Sequence, residues 1–286
     1  MSSDQAFALR ELVKRNSGDS SGCEGDFVVV VGGLPGVGST TVARAIAATQ
    51  ADQGHQTLFV DVAGNAGATA ALGANASLAL PDVVEDLSLA AAAIQAGPGK
   101  AFFLPNHPLP EGLPAEQLQE IAKSVPDVLG QLSAGFESVI VDRGNSHTGG
   151  WRKLWNDAKS VVVVTNATDE SVMGAYAAIK GNVPTSCPDI RVLVNAVDSR
   201  GSAEQVWGKI AAAAKRFLGL TLRFAGYLPL AVEGASNEGV SPVLENDATA
   251  RLCLRRIVSD LDDSERAVGA SIARSAELAQ SKKSTE

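Results

Sequence analysis

Short runs of β-branched and apolar residues recur along the middle of the chain, at 27–31, 57–62, 101–104, 138–141, 160–165, 190–194 and 222–228. Two of them contain four successive valines, Val28 to Val31 and Val161 to Val164. They lack the alternation of a half-wetted strand, so they predict strands covered on both faces. Stretches of helical period lie between the runs, at 41–50, 115–132, 169–180 and 203–218. Ser241 and Pro242 supply an N-cap and a first-turn proline for a further helix. This alternation predicts an α/β fold, a doubly wound and mostly parallel sheet with helices on both faces. The ends read differently. Residues 1–15 form a short amphipathic helix, 16–26 a flexible linker rich in Gly, Ser and Asp, 27–262 the domain, and 263–286 a polar tail.

Composition changes this picture only in what it excludes. The formal net charge of −8 opposes general binding to DNA phosphates. Cys23, Cys187 and Cys253 are far apart and odd in number, which suits free thiols in the cytoplasm rather than a disulfide framework. No apolar run approaches the ~20 residues that span a bilayer, and the N-terminus lacks the apolar core of a signal peptide. The sparse Val268, Ile272 and Leu278 predict at most weak membrane association for the tail. His55, His107 and His147 have no ligand partner at short spacing, and Trp151 and Trp155 read as packing residues on a helix.

The chemistry sits after the first strand, in GGLPGVGSTT, Gly32 to Thr41. The phosphate-binding pattern G-x-x-x-x-G-K-[ST] is met by Gly33, Gly38 and Thr40. Glycines let backbone N–H groups curl around phosphate oxygens, and the helix that follows adds its positive end. Thr40 is the expected hydroxyl for Mg²⁺. The lysine position is occupied by Ser39.

Later segments extend the resemblance. Phe59 to Gly73 (FVDVAGNAGATAALG), Val139 to Asn145 (VIVDRGN), Val161 to Lys180, Val192 to Ser199 (VLVNAVDS) and Gly226 to Leu230 (GYLPL) resemble segments of the MinD/ParA-type P-loop ATPases. The N-terminal Asp4-Gln5-Ala6-Phe7-Ala8-Leu9-Arg10 resembles the D-Q-A-x-x-L-R signature of the flagellar-number regulators of the FlhG (FleN, YlxH) branch. The resemblance implies a nucleotide site at Gly33, Gly36, Gly38, Ser39, Thr40 and Thr41, with Asn195 at the adenine. It implies Mg²⁺ at Thr40, Asp61 and Asp142, ATP or ADP as ligand, and a homodimer. It also implies a docking helix, carried by Asp4, Gln5, Ala6, Leu9 and Arg10, that stimulates an FlhF-like signal-recognition-type GTPase. Gln5, Leu9, Leu12 and Val13 fall on one helical face, as a docking helix requires. Cytoplasmic placement with recruitment to the pole or inner membrane face goes with that role.

The chain departs from the family where charge is needed. Leu34 stands at the signature lysine that reaches across the dimer, Ser39 at the in-subunit lysine, Pro35 at a glycine, Ala63 at the hydrolytic aspartate and Arg143 at a switch threonine. Phosphoryl transfer depends on positioning and charge stabilisation, and losing one such contact costs ~10²–10³ in rate. The expected function is that of a pseudo-ATPase regulator, with Arg143 or Lys153 as replacement cations if nucleotide binds. The alternatives are a weak ATP-driven dimeric switch and a partitioning-type spatial regulator.

Overall fold

The valine run 28–31 is buried from both sides because each of its faces meets a different core. In the computed structural model, Val29 and Val31 join one apolar cluster and Val28 and Val30 another, as the two-residue period of a strand requires. The structure describes residues 25–63, 68–69, 77–106, 115–145, 151–183, 189–230 and 247–262.

Eight strands form one sheet: β1 Gly25–Gly32, β2 Thr57–Asp61, β3 Gln95–Ala96, β4 Phe102–Leu104, β5 Ser138–Gly144, β6 Ala158–Thr165, β7 Asp189–Val197 and β8 Arg223–Pro229. Their order is β3-β4-β2-β5-β1-β6-β7-β8. Among the described residues only β3 runs antiparallel, on the edge beside β4. All seven expected runs are strands. β1 begins at Gly25, inside the stretch read as linker, where it pairs with Ala158 of β6.

The helices divide between the faces. Helix α1, Ser39–Asp52, and α8, residues 248–262, cover one face with Val42, Ile46, Leu254, Ile257 and Val258. The other face is covered by α2 Leu80–Glu85, α3 Ala90–Ala93, α4 Ala115–Ser133, α5 Arg152–Asp157, α6 Asp169–Gly181 and α7 Arg200–Leu218. Trp155 of α5 is fully buried, and Trp151 packs against the same cluster, as expected. Helix α8 lies downstream of Ser241 and Pro242; those two residues fall outside the described set, as do residues 1–24 with the docking helix, and the tail 263–286. Among the described residues, no helix is long and apolar enough to cross a membrane, and no group of three or more His, Cys, Asp or Glu could hold a metal ion.

Candidate nucleotide site

Strand β1 delivers the chain to the loop at the C-terminal edge of the sheet, beside β5 and β6. Gly36 and Gly38 have φ of 80° and 86°, a left-handed conformation that L side chains rarely adopt. Gly38 is the N-cap of α1, with no side chain capping the helix. The first-turn N–H groups therefore have no side-chain partner at the cap. A Cβ on Gly36 would meet nothing within 4 Å. This is the backbone form of a phosphate cradle.

The charged side chains of such a cradle are replaced by contacts that tie it down. Ser39 is buried, and its Oγ lies 2.9 Å from where a Cβ on Gly32 would sit, so it is tucked under the loop. Leu34 packs on α6: a Cβ on Gly174 would lie 2.6 Å from Leu34 Cγ. Gly33 approaches the same helix, with the Ala175 Cα 2.7 Å from its own Cβ position. Asn195, at the end of β7, donates from Nδ2 to the Val37 carbonyl at 2.9 Å.

At the metal end, Asp61 and Asp142 face each other in register on β2 and β5, and neither is exposed. Asp61 Oδ1 accepts from the Ala63 N–H at 3.0 Å, and Oδ2 shares the single proton of the Thr69 hydroxyl, 3.3 Å away, with the Asn106 carbonyl at 3.1 Å. Asp142 Oδ1 accepts from the Gly144 N–H at 2.9 Å, while Oδ2 is buried without a hydrogen-bond partner. Burial pushes the Asp142 carboxyl above its ordinary value, against the Thr40 hydroxyl, the Gly144 N–H and the charge of Arg44. Thr40 thus lies beside Asp142; Thr41 follows it in the first turn of α1 and is half-buried.

The two candidate replacement cations, Lys153 and Arg143, sit in different surroundings. Lys153 holds Asp127 of α4 with both carboxylate oxygens at 2.7 Å. Its helix α5 covers the sheet face opposite α1. Arg143 is the residue skipped in the pairing of β5 with β1, where Val30 matches Asp142 and Val31 matches Gly144. It is buried, and desolvation lowers its pKa to about 10. Sequence reasoning missed Arg44, only 6% exposed on α1. Its signal was present: an arginine one turn after Thr40, in a stretch otherwise made of the apolar Val42, Ala43, Ala45, Ile46 and Ala47.

Comparison with known proteins agrees with this geometry. No protein-family model matches the chain. The antiactivator FleN of Pseudomonas aeruginosa is 25% identical over 204 residues, 71% of this chain and 72% of that protein. The cell division ATPase MinD of Pyrococcus furiosus superposes with a TM-score of 0.63 at 14% identity, covering 84% of this chain and 99% of its own. A ParA family ATPase from Chlorobium tepidum gives 0.61 at 19%, with 82% and 98% covered. The chain therefore has the fold of the MinD/ParA-type P-loop ATPases, with a sequence similar to the antiactivator FleN.

Proposed function

We propose that this chain is a MinD/ParA-type regulator of flagellar placement or number that acts by docking on a partner rather than by turning over ATP. The observation that carries the pseudo-ATPase reading is the fate of the two lysine positions. Leu34 is packed on Gly174 and Ser39 is tucked against Gly32, so neither brings positive charge to the loop. Ala63 supplies no carboxylate for the attacking water. The similarity to FleN supports the regulatory role.

The two ends of the site fit a nucleotide unequally. The phosphate end fits: the left-handed Gly36 and Gly38 and the open space at Gly36 leave backbone donors to meet an anion. The metal end fits less well, because Asp61 already takes the Ala63 N–H and lies beside the Thr69 hydroxyl, and a buried arginine already acts on Asp142. Mg²⁺, where it binds such a loop, neutralises phosphate charge. In this reading Asn195 serves as a loop latch and adenine contact together.

The docking half of the proposal rests on Asp4, Gln5, Ala6, Leu9 and Arg10. A peptide of residues 1–15 is expected to accelerate GTP hydrolysis by an FlhF-like GTPase, and Gln5→Ala to abolish the effect. Equal GTP turnover with and without the peptide sinks this half. For the other half, purified chain with ATP and Mg²⁺ is expected to release no phosphate above a Thr40→Ala control.

A second reading, a weak ATP-driven dimeric switch, is favoured by one observation. Asp142 keeps a buried, unpartnered Oδ2 beside Thr40. Turnover lost on Thr40→Ala or Asp142→Ala would select it.

A further inference from the structure

Asp142 and Asp61 place two carboxylates side by side on adjacent strands, both shut off from solvent. A buried carboxylate is costly unless an opposite charge lies near. Asp61 has local donors in Ala63 and Thr69, but Asp142 Oδ2 has no hydrogen-bond partner. The oxygen that a divalent cation would need is therefore open. The question is what supplies positive charge there.

Arg44 answers it by position. Residues four apart lie above one another on a helix, so Arg44 stands on the side of α1 that carries Thr40. That helix packs over β5, the strand of Asp142. Arg44 is 6% exposed, among Val42, Ala43, Ala45 and Ile46 on the same short stretch. Arginine is almost never so buried without a countercharge. Its charge attracts Asp142, and a guanidinium keeps its proton at neutral pH.

We infer that Arg44 is a built-in cation, supplying from within the chain the positive charge that a divalent metal would bring to Asp142. A metal entering the same place meets a permanent like charge in a low-dielectric site, which raises the cost of entry. The loop then has no metal requirement, and any anion it takes is held without Mg²⁺. This inference depends neither on partner docking nor on nucleotide binding.

The test uses the full chain, MgCl₂ alone as probe, and thermal unfolding as readout. The wild type is expected to show no change in Tm with millimolar Mg²⁺. Arg44→Met is expected to gain a rise of about 2–4 °C that EDTA reverses. Adding Asp142→Asn to Arg44→Met is expected to remove that rise. A rise in the wild type, or none in Arg44→Met, overturns the inference. If Arg44→Met does not fold, the double variant still decides, against Asp142→Asn alone. Asp142→Asn takes away one negative charge beside Arg44, so the double variant is expected to melt higher than Asp142→Asn. A Tm at or below it overturns the inference.

Discussion

The side-chain amide of Asn195 is bonded to the Val37 carbonyl at 2.9 Å, across 158 residues of sequence. The same nitrogen lies 2.5 Å from where a Cβ on Gly38 would sit. Ala196, the next residue, has φ 56°, and among the described residues no other non-glycine has a positive φ. The end of β7 is thus bent into a strained turn that holds its asparagine against the loop. Strain of this kind costs about 1–3 kcal/mol and persists only where the surroundings enforce it.

Asn195→Ala removes that latch and leaves the Val37 carbonyl to find water. A loss of about 1 kcal/mol in urea unfolding is expected. Gly38→Ala alone is expected to cost more, since it adds both the left-handed strain and the clash with Nδ2. The double variant should be less destabilised than the sum of the two. Strict additivity would show that the two positions are independent.

Gly33 and Gly36 separate space from conformation. A side chain at Gly33 would run into the α6 backbone at Ala175, whereas one at Gly36 meets open space but must adopt φ 80°. Gly36→Ala is therefore expected to cost about 1–2 kcal/mol. Gly33→Ala is expected to cost more, by forcing α6 away from the loop, with Tm falling further than in Gly36→Ala. The reverse ranking would argue against the tight seating of the loop on α6.

Ser39→Lys restores the missing in-subunit charge. A charge-assisted hydrogen bond contributes about 1.5–3 kcal/mol, so ADP affinity by isothermal titration is expected to rise at least ~10-fold. Phosphate release is expected to stay at background, because position 63 remains alanine. Vigorous ATP turnover by this single variant would show that Ala63 is not limiting.

Asp142 gives a prediction in pH. Burial raises its carboxyl above the ordinary 3.8, so the folded chain holds this proton more tightly than the unfolded chain. Its contribution favours the fold at low pH and is lost as pH rises from 3.8 through the folded value. Urea midpoints of the wild type should therefore fall relative to Asp142→Asn as pH climbs through that window. Parallel curves would mean that Asp142 does not titrate differently on folding.

The sequence by itself determined the layers and the cradle. The runs of valine at 28–31 and 161–164 can be buried on both sides only in a covered parallel sheet. The glycines at 36 and 38 mark where the backbone must turn left-handed, and Thr40, Asp61 and Asp142 mark strand and helix ends that meet at one edge. These properties are local, set by period, by steric freedom and by the residues within one turn. The stretch 16–26 misled at its end because Gly25 and Asp26 carry no strand signal of their own; Gly25 is drawn into β1 by pairing with Ala158.

Tertiary structure decided what the cradle became. The order β2-β5-β1-β6-β7 brings Asp142, the loop, α6 and Asn195 to adjoining places, although they come from segments far apart in the chain. Only then does Leu34 find Gly174, and only then does the charge of Arg44 act on Asp142. Charge in a buried site depends on which groups share the same low-dielectric volume, and strand order, rather than spacing in the sequence, sets that.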